Sequence, residues 1–353
     1  MYASHRDACI LSRYSWHIST SLNAFYIGAG LSDCVIAYRP LGKANYDFAA
    51  EVMQFARSAA PCSILCFDVS KFFDTLDHRL LKLRLKTLLG VSEIPLDWYK
   101  VFRFVTRFSW IDQEQLKKHP VFGLRLRVRS PAPIATISEV RDAGIPIKQN
   151  TNAYGIPQGT PISSALSNLY LMDFDTAVHS FCSAAGAMYR RYSDDILVVC
   201  KASEATSIET FVKSRMATEK LVINDAKTER RIFDPAKPEN SQYLGFHLSP
   251  DGAFIRPSSL AKQWRKLRRN LKRIRKVGEA AIAAGKANKI FTKKLRKRFT
   301  AVPGRNFSAY ARRSAKALKS RKLLRQVRRL EREADAQITA FDSLKTPKGL
   351  PPK

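Results

Sequence analysis

The sequence contains no apolar run approaching the ~18 residues a membrane span needs. Its N-terminus, Met1 to Ser12, lacks the basic start and apolar centre of an export signal. A cytoplasmic protein without a membrane partner is the expectation. Cysteine is sparse and poorly grouped. Of Cys9, Cys34, Cys62, Cys66, Cys182 and Cys200, only Cys62 and Cys66 lie close together, with no histidine near them. Zinc sites usually show paired short spacings, so reduced structural thiols are the better reading. No internal repeat is visible, which argues against a solenoid. Acidic residues are scarce too: 30 Asp and Glu stand against 61 Lys and Arg.

What is present follows from that imbalance. A net charge of +31 opposes compactness unless a polyanion neutralises it, and nucleic acid is the leading candidate. An anionic membrane surface is the weaker one. The excess is concentrated. From Arg256 to Glu333 there are 28 basic residues against Glu279, Glu331 and Glu333, a net of +25. At 353 residues and 45% hydrophobic, the chain has material for one large lobed domain or two to three small ones. It reads as a chemical part followed by a gripping part.

Residues 1–60 read as mostly helical, with Leu11, Ile18, Leu22 and Phe25 on one face and a second helix over Asn45 to Arg57. Ala37 to Lys43 is a basic loop broken by Pro40 and Gly42. Ser63 to Val69 has the pattern of a buried strand with an acid near its end. Asp77 can cap a helix from His78 to Leu89, and Gly90 can end it. Leu124 to Arg129 alternates in a way that suits an exposed strand. A helix is expected from about Ser163 to Ser180, a hairpin over Met188 to Cys200 with Ser193 and Asp194 at its tip, and a helix over 205–221. Two short strands should follow, near Arg230–Phe233 and Gln242–Leu248, and then basic helices. The tail from Pro347 to Lys353 reads as disordered.

The chemistry centres on Asp194 and Asp195. Side chains alternate along a strand, so adjacent acids approach one point only at a turn. Two close carboxylates repel unless a cation lies between them. A lone Asp-Asp is more often an ordinary solvated turn. Asp68 changes the balance, since it too ends an apolar strand. If the two strands are neighbours, three carboxylates converge, and such a cluster can hold two metal ions about 3.5–4 Å apart.

Five segments, among them Phe67-Asp-Val-Ser-Lys-Phe-Phe-Asp74, Pro157-Gln-Gly159 and Tyr192-Ser-Asp-Asp195, then resemble the motifs of reverse transcriptases, in that family's order over roughly 180 residues. Phe67-Asp-Val-Ser-Lys-Phe-Phe-Asp74 resembles the first palm motif. Gly155-Ile-Pro-Gln-Gly-Thr-Pro-Ile-Ser-Ser-Ala-Leu-Ser-Asn168 resembles the Pro-Gln-Gly motif and the helix after it. Tyr192-Ser-Asp-Asp195 matches the Tyr-x-Asp-Asp signature. Asn224-Asp-Ala-Lys-Thr228 and Tyr243-Leu-Gly-Phe246 resemble the next motif and the primer grip. Ala37 to Lys43 resembles, more loosely, the fingers segment before the first acid.

The resemblance implies an α+β right-hand polymerase with fingers, an antiparallel-sheet palm and a helical thumb. Fingers would occupy 1–60 and 91–154, palm 61–90 and 155–250, and the basic thumb 251–340, followed by a disordered tail over 341–353. Asp68, Asp194 and Asp195 would be catalytic and bind two Mg²⁺ ions, with Mn²⁺ as a substitute and the Val69 carbonyl completing a shell. Asp68 and Asp194 would be the principal ligands and Asp195 would tune the pair. Phe73 falls where the family places its steric gate against a 2′-hydroxyl, while Phe72 is read as core. Gln158 would touch the incoming nucleotide, Lys227 would steady or protonate pyrophosphate, and Arg39 and Lys43 would meet triphosphate or template. Tyr243, Leu244 and Gly245 would position the primer end. Arg265, Arg268, Arg269, Lys272, Arg273, Lys293 and Arg296 would grip the duplex by its phosphates. Partners would be a template RNA, the DNA product and deoxynucleotides, with homo-oligomerisation left open. No appended nuclease motif is seen. The Pro-Gln-Gly segment is similar to bacterial retron and defence-associated enzymes, which implies a cognate non-coding RNA and an anti-phage role. The alternatives are a retron-type or group II intron-type enzyme, or an RNA-binding protein on the same fold.

Overall fold

The structure, a computed structural model, describes residues 4–128, 132–301 and 306–342. Its strands are β1 (Cys62–Asp68), β2 (Ser109–Trp110), β3 (Lys148–Gln149), β4 (Met188–Tyr192), β5 (Asp195–Cys200), β6 (Glu229–Phe233), β7 (Ser241–Tyr243), β8 (Phe246–Ser249) and β9 (Gly252–Ile255). They form a four-stranded sheet in the order β4-β5-β1-β6, a ribbon of β2 with β3, and an antiparallel β7-β8-β9 meander. The rest is helical, so the α+β expectation holds.

The chain divides into two compact units. The first comprises Met1–Leu41, Cys66–Val198 and Glu204–Thr228. Its long helix, His5–Gly28, buries Leu11, Ile18, Leu22 and Tyr26. Tyr26 rather than Phe25 continues the stripe, four residues on from Leu22. That face packs on the helix Ser163–Tyr170, whose residues are almost all buried. The helix His78–Leu89 packs there as well, capped by the Asp77 carboxylate, which accepts from the Arg79 and Leu80 amides. Gly90 ends it in the left-handed region.

Two expectations for this unit are corrected. The single helix after Gly159 is two, Ser163–Tyr170 and Met172–Ala184, because Leu171 leaves helical geometry and is itself buried. The described part of Leu124 to Arg129 is no strand but the end of the helix Pro120–Arg127, with His119 as its cap and Pro120 at the first position. Proline there costs no hydrogen bond and its ring presets φ. A helix also closes its own backbone bonds, which an alternating segment achieves only beside a partner strand. Arg129 lies outside the described residues.

The second unit comprises Gly42–Leu65, Val199–Ser203 and Glu229–Lys353. Its core gathers Leu267, Leu271, Ile290, Leu295, Phe299, Leu330, Ala334, Ile338 and Phe341 from the C-terminal helices. The helix Arg321–Asp342 runs against β9, and its Gln326 side chain accepts from the Ile255 amide at 2.9 Å. Asn45–Ser58 belongs here rather than with the residues before it. It buries Phe48, Val52 and Met53, packs on Phe307–Ala317 and β8, and sets Tyr46 5.5 Å from Tyr310. The compact units part at Leu41 and Gly42. The tail expected to be disordered lies, beyond Asp342, outside the described residues. No helix among the described residues is long and apolar enough to cross a membrane.

Candidate active site

In the first unit, β1 delivers Asp68 at its last position, and its neighbour β5 begins at Asp195. The hairpin between β4 and β5 turns at Ser193 and Asp194, with Ser193 in the left-handed region at φ 60°. Asp68 is half-buried, Asp194 partly exposed and Asp195 exposed. The segment 222–224 runs beside the end of β1. Ser70 donates to the Val222 carbonyl, the Asp68 carbonyl accepts from the Asn224 amide at 2.8 Å, and Val69 pairs antiparallel with Ile223. This docking carries Lys227 in, and its Nζ stands 3.1 and 3.3 Å from the two Asp68 oxygens. Lys227 therefore sits at the acid centre in this structure. Its ammonium occupies a cation's place on Asp68.

Phe73 and Gln158 are linked through the backbone. The Phe73 carbonyl accepts from the Ile156 amide at 2.8 Å, and the Leu76 carbonyl accepts from the Gly155 amide at 2.9 Å. The approach is close enough to require glycine at 155: a Cβ there would lie 2.9 Å from the Asp74 carbonyl oxygen, at φ +89°. Phe72 is core, as expected, whereas Phe73 is only partly covered. Gln158 is exposed on the following loop.

The turn bearing the acids rests on a buried polar network that sequence reading missed. Arg191 and Asp175 are both fully buried and pair through two hydrogen bonds of 2.6 Å. Asp175 also accepts from the Tyr189 hydroxyl at 2.7 Å. The remaining Arg191 amino group donates to the Ser193 carbonyl at 2.9 Å and to Asn168 Oδ1 at 3.3 Å. Asn168 in turn donates to the Ala37 carbonyl. Burial pulls the guanidinium's pKa down, and the adjacent Asp175 charge with its hydrogen bonds outweighs that and holds it firmly protonated. On the exposed side, Tyr38 donates to Ser193 Oγ at 3.3 Å, and its ring lies 6.3 Å from that of Tyr192. Burial raises the Tyr192 phenol, with Tyr38 and the Asp195 charge adding to it. The signal available in the sequence was alternation. Tyr189 and Arg191 share one face of β4, and an arginine facing inward needs a carboxylate partner.

Arg39 is placed differently from the expectation of a nucleotide contact. Its guanidinium donates to Asn23 Oδ1 and to the Ser32 and Val35 carbonyls, and it lies over the Tyr26 ring at 4.8 Å. Those bonds fasten the loop that carries Tyr38.

The other expected residues belong to the second unit. Lys43 pairs with Glu51 at 2.6 Å. Tyr243 is buried, while Leu244 and Gly245 form the two-residue turn between β7 and β8, at φ 45° and 90°. Two positive φ values match the twist of a tight hairpin, and for leucine that geometry is strained. Arg265, Arg268, Arg269, Lys272, Arg273 and Lys293 are exposed, and Arg296 is partly covered. Arg268 lies over Trp264 at 6.0 Å.

Among the described residues no three His, Cys, Asp or Glu side chains converge into a ready-made metal cage. The donors at the centre are hard carboxylate oxygens on adjacent strands. That chemistry fits a divalent ion that takes a few carboxylates and completes its shell with substrate phosphates.

Comparison with known proteins agrees with this geometry. Residues 15–248 match the family described as reverse transcriptase (RNA-dependent DNA polymerase). A stretch of 74 residues is 32% identical to the retron Ec86 reverse transcriptase of Escherichia coli, covering 21% of this chain and 23% of that protein. Telomerase from Candida albicans, solved with a TWJ fragment of telomeric RNA, shares the fold at a TM-score of 0.50 and 12% identity, over 95% of this chain and 56% of that one. Apo telomerase from Candida tropicalis does so at 0.50 and 11%, over 95% of this chain and 51% of that one. The chain thus spans about half the length of these solved relatives. The family match covers well over half of the sequence and includes every acid of the centre, so this protein belongs to the reverse transcriptase family.

Proposed function

We propose that the protein copies RNA into DNA by nucleotidyl transfer at Asp68, Asp194 and Asp195. One observation carries the reading. The strand ending in Asp68 lies beside the strand that begins at Asp195, next to the turn holding Asp194. Bound divalent ions, Mg²⁺ in this reading, would activate the primer hydroxyl and offset charge on the leaving pyrophosphate. The chain's own residues do the rest. The three carboxylates would hold the ions, with the Val69 carbonyl beside them. Lys227, 3.1 Å from the Asp68 carboxylate, would offset or protonate the developing pyrophosphate charge. Phe73 excludes a 2′-hydroxyl, and Gln158 meets the incoming nucleotide from the loop that Gly155 fastens to the Phe73 turn. Arg39 supports this set from behind by fixing the Tyr38 loop.

In the same reading, residues 1–60 and 91–154 act as fingers, 61–90 and 155–250 as palm, and 251–340 as thumb. The exposed cations of Pro257–Ala283 and Lys293–Phe299 hold the template–primer duplex, with Tyr243, Leu244 and Gly245 at its primer end. The template is a cognate non-coding RNA and the role is defence against phage. Support for this comes from the likeness to a retron enzyme and from the basic C-terminal helices. Primer extension on an RNA template with Mg²⁺ and deoxynucleotides tests the chemistry. Asp194→Ala/Asp195→Ala should abolish product, and equal product from that variant would remove the assignment. Sequencing nucleic acid that co-purifies with the protein tests the template.

A further inference from the structure

The helix Leu96–Thr106 buries Val101, Phe102, Val105 and Thr106 on one side. Its other side is unusual. Tyr99, Lys100, Arg103 and Phe104, followed by Arg107, form one exposed stripe in which aromatic rings and cations interleave. The stripe lines a cavity of about 930 Å³ together with His78, Lys82 and Gln149 to Thr151. Lys82, Lys100, Arg103 and Arg107 give this lining four positive charges, and it holds no carboxylate. Among the described residues none of these cations has an acidic partner. Lys82 lies 5.5 Å over the Tyr99 ring, and Arg107 donates only to the Thr151 and Asn152 carbonyls. The nearest acid along the helix, Asp97, is taken by the Tyr14 hydroxyl at 2.8 Å. His78 adds no charge, since burial favours its neutral form.

Unpaired like charges repel, so four of them around one cavity are costly unless an anion enters. Phe104 is 50% and Tyr99 40% exposed, so both rings present surface for stacking, Tyr99 with the Lys82 ammonium over one face. Cations for phosphates together with open aromatic faces for bases are the combination that recognises single-stranded nucleic acid. An acidic protein segment would use the cations but not the two rings. A metal ion is excluded by the sign of the charge.

We propose that this groove binds an unpaired stretch of RNA, separate from the duplex held by the thumb. It rests on the reading that the protein works on RNA. The Asn150 side chain donates to the Tyr154 and Gly155 carbonyls, and His78 Nε2 donates to Gly155 at 2.7 Å. The groove lining at His78 and Asn150 is therefore tied to the loop segment that leads into Gln158. RNA seated here would contact the wall of the same loop.

The test uses the full chain and a fluorescein-labelled oligouridylate of about twelve nucleotides, a length matched to single-strand sites. Lys100→Glu/Arg103→Glu should weaken binding more than tenfold and lower the slope of log K against log salt by about 1.4, for two lost phosphate contacts. Tyr99→Ala/Phe104→Ala keeps the charge and should cost about tenfold per lost stack, with the salt slope unchanged. 4-Thiouridine in the probe should crosslink to the peptide 99–107. All four side chains are exposed, so thermal unfolding should be unaffected, which separates lost binding from lost folding. Unchanged affinity in both variants, crosslinks confined to other peptides, or displacement of the probe by a mononucleotide at low concentration would each overturn the proposal. Asp194→Ala/Asp195→Ala should leave these binding results intact. A failure of the polymerase reading would therefore appear only in primer extension, and a failure of the groove only here.

Discussion

The pair of Arg191 and Asp175 offers the sharpest test of how the acid turn is held. Both side chains are fully buried, so removing one partner leaves a charge without solvent or counter-ion. Asp175→Ala should lower the unfolding free energy by about 3–5 kcal/mol, the usual cost of breaking a buried pair. Replacing the network with apolar side chains of similar size avoids most of that cost, because no charge is stranded. The informative variant is therefore Asp175→Leu/Tyr189→Phe/Arg191→Met. It removes the ion pair and the Tyr189 hydroxyl that would otherwise lose its acceptor. What remains is the loss of the donor to the Ser193 carbonyl and to Asn168, about 1–3 kcal/mol for a charged hydrogen bond. Stability by urea denaturation should recover about 2 kcal/mol of the Asp175→Ala loss. Primer extension should not. A turn freed to shift by about 1 Å can cost about a hundredfold in rate. Stability and extension recovering together would refute a positioning role for Arg191. A cost below about 1 kcal/mol for Asp175→Ala would refute the energetic argument itself.

Three further outcomes are expected. Phe73→Ala should raise ribonucleotide incorporation by about 10- to 200-fold relative to deoxynucleotide, the usual range for one pocket contact. Unchanged sugar selection in single-nucleotide addition would remove Phe73 from the gate. Gly155→Ala should cost about 1–3 kcal/mol, since its φ of +89° strains any side chain and the new Cβ meets the Asp74 carbonyl; a denaturant midpoint equal to that of the parent would contradict the close approach. His78 has its folded-state pKa lowered by burial, so the unfolded chain takes up its proton first as pH falls. Its contribution to stability is complete above about pH 6.5, the unfolded value, and declines as pH drops from there towards the folded pKa. His78→Gln should reduce that acid-side slope in a series of urea melts, and an identical slope would assign it to other groups.

Much of this protein follows from short-range patterns. Asp77 and Gly90 bracket their helix because a cap and a left-handed terminus are local properties of the backbone. The hairpin around Ser193 and Asp194 follows from apolar flanks with a polar centre. The order of five motifs points to the family. Local pattern failed where two structures satisfy one pattern. Leu124 to Arg127 alternates like a strand, yet His119 and Pro120 start a helix that needs no neighbour. Other features arise from contacts that chain order does not encode. β1 lies beside β5, although more than a hundred residues separate them, and this places Asp68 next to the acid turn. Asp175 finds Arg191 across a helix–strand interface, and Arg39 turns inward to Asn23 rather than out to a ligand. Asn45–Ser58 joins the C-terminal helices because its apolar stripe is covered there. The sequence determined which groups are available and which local turns present them. Tertiary packing decided which groups meet, because burial and partner geometry depend on residues far apart in the chain.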